Sequence, residues 1–246
     1  SAVLSSTTSL TCDFTDADFT QFSDYRVSLA VRAPDNSTTY TLCDGVASSG
    51  VCAAGGSPVL SEPSSGQYRF TYPWDPAIGL ADGDYDLSCS VSDGANTSTT
   101  DYAIHPDEVR LDSTSPTVLE VREAAGGSGS YVEDDDLIIE IEFSETVVIA
   151  GGVNLQLELD VGAGVGLQSA AATYFGGSGT TVLQFIYEVE ESNWADATDL
   201  AYSGQGSLTL GGSTTLNDSV GNNVTLTLPV PGTAGSLSAT SDIQLN

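Results

Sequence analysis

Hydrophobic and polar residues alternate with a period of two along most of this chain. In LIIEIEF, Leu137, Ile139, Ile141 and Phe143 fall on one face while Glu140 and Glu142 fall on the other. VLQFIYEV repeats the pattern with Leu183, Phe185, Tyr187 and Val189, and FGGSGT just before it supplies a glycine-rich hairpin turn. In the first half, YRVSLAV, GQYRFTY and DYDLSCSV alternate likewise. Gly-, Pro- and Asp-rich turns punctuate the pattern about every eight to twelve positions, and almost nothing has helical spacing. Short alternating strands of this kind predict an all-β protein, a sandwich or a barrel.

A length of 246 residues suits two domains of about 110–130 residues each. The boundary reads as HPDEVRLDSTSP, which gives a first domain over 1–106, a short acidic linker over 107–115 and a second domain over 116–246. Hydrophobic residues make up 40 % of the chain, enough for packed cores. No run approaches the ~20 apolar residues of a membrane span. No charged-then-apolar leader opens the chain, which reads as a mature form or as a piece of something longer.

Charge changes the picture more than length does. Thirty-four acidic residues face five arginines and no lysine, a formal net charge of −29, against a magnitude of about 2–8 for a typical small domain. Self-repulsion on this scale calls for counter-ions. It disfavours nucleic acid and anionic membranes as partners, since both need clustered basic residues. Divalent cations or high external salt are the natural counter-ions, so adaptation to a saline setting is the plainer explanation of the same acidity. The four cysteines, Cys12, Cys43, Cys52 and Cys89, all lie in the first half. An even count there suggests two disulfides and an oxidising compartment, and no CxxC pair suggests zinc. Sequons begin at Asn36, Asn96, Asn217 and Asn223. The single histidine, His105, precedes Pro106, and no GxSxG, HExxH, Walker or dinucleotide pattern appears. The expectation is a protein that is not an enzyme.

Longer stretches carry a resemblance. GDYDLSCSVSDGANTST and LDSTSPTV resemble the closing strands and linker of bacterial immunoglobulin-like repeats. IEIEFSETVVI, ATYFGGSGTTVLQFIYEV, DLAY, SLTLGG, LNDSVGNNVTLTLPVPGTAGSL and DIQLN resemble a repeat of very large bacterial surface proteins and adhesins, nearly end to end over 112–246. The resemblance implies two tandem immunoglobulin-like β-sandwich domains, extracellular, structural or adhesive, and often calcium-dependent. Cys12 and Cys89 then match the bridge that pins the two sheets of antibody-like domains, leaving Cys43 and Cys52 to close the local loop CDGVASSGVC. Four cysteines allow three pairings, and this is the one the resemblance favours.

In such a sandwich the lead-in segment, the B–C loop and the F–G loop gather at one end. In the second domain these carry Asp112, Glu145 at the expected FSET corner, and Asn217, Asp218 and Asn222 of NDSVGNN. Asp82 and Asp84 of ADGDYD, with Asp107 and Glu108, are expected to join them at the inter-domain joint. Carboxylates, amide carbonyls and backbone are the ligand types of a hard cation such as Ca²⁺, which takes six to eight oxygens. A second acidic group is expected from Asp13, Asp16 and Asp18 with Asp93 and Asn96, and EDDD at 133–136 forms an acidic turn. The plainer reading of each residue is a solvated turn, since Asp and Asn favour loops for backbone reasons.

The expected function is an extracellular structural or adhesive segment, rigidified by calcium. Its expected partners are neighbouring repeats of the same parent chain or identical subunits, and a host-surface or matrix ligand. One alternative is a filament subunit whose N-terminal SAVLSSTTSL completes a neighbour's sandwich by β-augmentation. Another, less favoured, is a carbohydrate-binding module using Trp74.

Overall fold

The protein is all-β, with one short helix, in a computed structural model that describes residues 2–4, 8–15, 25–33, 35, 38–47, 51–52, 57–74, 80–100, 109–161, 169–190 and 199–245. Contacts divide the chain into two compact units, 1–114 and 115–246, with the division inside the stretch that reads as linker.

The first unit contains β1 (Ala2–Leu4), β2 (Thr8–Thr15), β3 (Arg26–Arg32), β4 (Thr39–Ala47), β5 (Val59–Ser64), β6 (Gln67–Trp74), β7 (Gly83–Ser92), β8 (Thr97–Thr100) and β9 (Val109–Leu111). One sheet runs β2–β6–β5. In the other, β3 pairs with β4 and β7, the far side of β7 carries both β8 and β9, and β1 lies parallel to β9. This is the strand pairing of an immunoglobulin-type sandwich. The alternation read from sequence decides which residues enter the core. Along β7, Tyr85, Leu87, Cys89 and Val91 are buried and the residues between them less so. Val27, Leu29 and Val31 of β3 and Phe70 and Tyr72 of β6 complete the centre. Phe14, Tyr25 and Tyr68 pack ring to ring, with Phe14 5.4 Å from Tyr25 and 5.5 Å from Tyr68. The Cys12–Cys89 disulfide joins β2 to β7 across the sheets, and Cys43–Cys52 closes the local loop. Tyr85 donates its hydroxyl to the Ala81 carbonyl at 2.8 Å, tying the approach to β7 to its own strand.

The second unit contains β10 (Val118–Glu123), β11 (Ser128–Tyr131), β12 (Asp136–Ala150), β13 (Leu155–Asp160), β14 (Ser169–Gly176), β15 (Thr180–Glu188), β16 (Ala201–Tyr202), β17 (Leu208–Leu210), β18 (Thr215–Asn217), α1 (Leu237–Thr240) and β19 (Asp242–Leu245). Its main sheet runs β10–β12–β15–β14–β13–β16, with β17 also beside β13 and β18 beside the end of β12. Parallel β11 and β19 form a separate pair. Leu137, Ile139, Ile141 and Phe143 of β12 pack with Leu183, Phe185 and Tyr187 of β15 in one apolar cluster. The β14–β15 turn uses Gly177 at φ +99°, where an added Cβ would lie 2.1 Å from the Val182 carbonyl oxygen.

One expectation is corrected here. Ser144–Thr146 forms no corner: Glu145 lies within β12, which continues to Ala150. The apolar alternation of IEIEF resumes in VVIA, so the chain stays extended and absorbs Ser-Glu-Thr as an irregularity. The register against β15 shifts between Glu142 and Val147. Beyond that shift, Val148–Ala150 leaves β15 and pairs with β18.

Candidate metal centre

The irregularity in β12 positions the first ligand. Thr117 donates its N–H to the Ser144 hydroxyl at 3.0 Å, and the Ser144 N–H returns a bond to the Thr117 carbonyl at 2.9 Å. Thr225 donates its N–H to the Pro116 carbonyl at 2.8 Å. The segment leading into β10 is thereby clipped beside Glu145, which is half-buried.

The second ligand comes from the loop after β18. An antiparallel bridge between Asn217 and Asn223 closes this loop. Within it Asp218 is buried, at 5 % exposure, and its Oδ1 accepts N–H bonds from Val220, Gly221 and Asn222 at 2.8, 2.7 and 2.8 Å. Its Oδ2 accepts the Asn222 side-chain amide at 2.6 Å. Gly221 sits at φ +99°, which lets the backbone turn its N–H groups inward. These four donors satisfy both carboxylate oxygens, replacing the hydrogen bonds that water would give an exposed carboxylate.

The remaining observation is convergence. Within the second unit, Glu145 and Asp218 each offer one carboxylate oxygen, and the two oxygens lie within 4.8 Å of each other. Glu145 is half-buried and Asp218 buried. Two hard, anionic oxygens, one of them fixed by backbone donors, start a donor set suited to Ca²⁺, with carbonyl or water oxygens completing its shell. Asp112, expected beside them, belongs to the first unit and accepts the Thr114 N–H at 3.3 Å. Asn222 stands in the same loop, with its amide directed to Asp218.

The other expected ligands have different partners. Asp82 accepts the Ser113 N–H and hydroxyl at 2.9 and 2.8 Å, and the Thr114 hydroxyl as well. Burial alone would raise its pKa, but the hydrogen bonds from Thr114 and Ser113 outweigh that and hold the carboxyl below its ordinary value. Asp84 faces Arg110 at 3.9 Å. Asp13 binds Arg69 through both oxygens at 2.7 Å, chiefly a hydrogen-bonding effect that lowers its pKa. Asp93 caps its own turn, accepting N–H bonds from Asn96 at 2.6 Å and Ala95 at 2.8 Å, and these hold its pKa low. In EDDD, Asp135 caps the Val132 N–H at 2.8 Å. Asp16, Asp18 and Asp107, like Glu108 and His105, lie outside the described residues. Ala2–Leu4, expected as part of a donor strand, pairs with β9 of its own chain, and Trp74 is the last residue of β6.

Two carboxylate arrangements escaped the sequence reading. Arg122 on β10 contacts Glu120, Glu140 and Glu142 at 2.9, 3.0 and 2.5 Å, and the Glu142 hydrogen bond leads in holding the guanidinium charged. Glu123, 3 % exposed, accepts the N–H groups of Ala125 and Gly127 at 2.7 and 2.9 Å and the Tyr131 hydroxyl at 3.1 Å. The alternation in LEVRE hinted at the first. Nothing local distinguished the second.

No family model matches the chain, and no curated protein sequence matches it. Among solved structures it is similar to a DUF4785-family protein from Legionella pneumophila, at 14 % identity and a TM-score of 0.28, over 92 % of this chain and 51 % of that one. The chain thus spans about half of that protein. A structure described as Rst D1-D2 is similar at 11 % identity and a TM-score of 0.30, over 99 % of this chain and 93 % of the other. Neither likeness bears on what the chain does. No helix among the described residues is long and apolar enough to cross a membrane, and the two disulfides fit an oxidising compartment.

Proposed function

We propose that the chain is an extracellular structural or adhesive segment of a bacterial surface protein, stiffened by calcium held at Glu145 and Asp218. The observation that carries this reading is the convergence of two carboxylates from distant sequence positions, in β12 and in the loop after β18, within 4.8 Å. A divalent cation there offsets their mutual repulsion and ties β12 to that loop. The resemblance of 112–246 to adhesin repeats supports the functional class, and the disulfides support the compartment. Neighbouring repeats of the same parent chain, or identical subunits, are the partners such a module meets, with a matrix or host-surface ligand beyond them.

The test is a set of thermal melts in calcium, in magnesium and in chelator at equal ionic strength. Calcium is expected to raise the midpoint well above both other conditions. Identical melting in all three rejects the cation, and the acidity then stands as adaptation to salt.

A further inference from the structure

The main sheet of the second unit is not closed along its whole length. β14 pairs with β13 from Ser169 to Thr173, but with β15 only from Thr173 to Gly176. Below the Thr173–Ile186 pair, among the described residues, β14 and β15 part company. The gap is a cleft of about 440 Å³, floored by Ala171 and Thr173 on one side and by Ile186 on the other. That is within the ~300–1,000 Å³ of ligand pockets. In an antiparallel ladder the main-chain groups of a strand alternate between its two neighbours. Half of those on this stretch of β14 serve β13, and the other half face the cleft.

The mouth of the cleft is acidic. Asp136, Glu188 and Glu190 line it, with no basic residue among the described lining groups. Asp136 and Glu188 are also direct cross-strand partners in the β12–β15 register. Like charges set directly opposite one another are unfavourable. A cation between or beside them removes that cost. The chain itself is a poor source of one, with five arginines and no lysine against 34 acidic residues. A second copy brings the same scarcity of cationic side chains.

We infer that the β14–β15 seam is a docking slot for an extended, lysine- or arginine-bearing peptide strand from a different protein. The peptide adds a short strand to the open edges and lays its cationic side chains against Asp136 and Glu188, with the small side chains of β14 leaving room for its backbone. This surface is separate from the Glu145–Asp218 pair, which lies toward the other end of β12, and does not depend on calcium there.

The probe is a fluorescein-labelled peptide alternating valine and lysine, titrated by anisotropy in chelator at physiological salt. Two comparison peptides keep its length: one with glutamate for lysine, and one with its lysines intact but alternate backbone nitrogens methylated. D136N/E188Q is expected to weaken binding by about tenfold or more, while neutralising Glu62 of the first unit (E62Q) leaves it nearly unchanged. A171R, which places a cation of the protein's own in the slot, is expected to block binding, its fold checked by melting. Backbone methylation is expected to abolish binding. Methylated peptide binding as tightly as its parent overturns the slot, because general attraction to an acidic surface then accounts for the affinity. So does equal weakening by E62Q and D136N/E188Q, or a parent peptide that fails to bind.

Discussion

Replacing Glu145 by glutamine separates the cation reading from a merely acidic loop, because its effect changes sign with calcium. The Glu145 and Asp218 carboxylate oxygens lie within 4.8 Å of each other. At that distance two unit charges repel by about 0.9 kcal/mol even in a water-like dielectric. E145Q removes that repulsion, a relief of about 0.9 kcal/mol in chelator at low salt. For a unit of this size that corresponds to a midpoint rise of roughly 2–4 °C. In saturating calcium the same change deletes an anionic ligand, so the variant is expected to melt below wild type. The assay is differential scanning calorimetry of both proteins in chelator and in calcium at equal ionic strength, repeated at higher salt. Screening at ~0.15 M, where the Debye length is about 8 Å, shrinks the chelator-side gain only in part, since the groups are half-buried or buried. A rise in both buffers means that the carboxylates repel but bind no ion. A fall in both means that Glu145 is held by protein contacts alone. Either result refutes the crossing of signs that calcium ligation demands.

Four further expectations concern stability and titration. The Cys12–Cys89 bridge spans 77 residues and Cys43–Cys52 spans 9, so their chain-entropy contributions are about 4.5 and about 2.6 kcal/mol. Denaturant melts of C12A/C89A and C43A/C52A should rank in that order, and the reverse order contradicts the cross-link account. Glu123→Gln exchanges a fully engaged buried acceptor for an amide that meets N–H donors, and should cost ~1–3 kcal/mol by chemical denaturation. Burial first, and then the Glu123 charge, push the Tyr131 phenol up to about 12. In E123Q, tyrosinate absorbance should therefore show that phenol ionising earlier, yet still above an exposed tyrosine. The Asp82 carboxyl is held below its ordinary value. Its stabilising effect is therefore present above the unfolded-state pKa of ~3.9 and lost as pH falls through the lower folded value. The stability gap between wild type and D82N should close on acidification from about pH 6 to about pH 2, and a gap that widens is the contrary result.

Local pattern determined much of this protein. Period-two alternation named the buried faces of β12 and β15 residue by residue, because side chains on a strand point to opposite sides and only one side meets the core. The cysteine count announced the disulfides, and the absence of lysine announced an unneutralised surface. Tertiary structure decided the rest, through register. Asp13 and Arg69, Arg32 and Asp86, Arg110 and Asp84, and Arg122 and Glu140 are each directly opposite across neighbouring strands. Nothing near Asp13 in sequence announces Arg69 as its partner, since a slip of one residue would turn both to other faces. Glu145 shows the same limit from the other side. Its polar neighbours look like a corner, but apolar alternation on both flanks keeps the strand running, and only the shift against β15 takes up the irregularity. The approach of Glu145 to Asp218 and the parting of β14 from β15 are long-range outcomes of pairing, which a strand's own sequence does not contain.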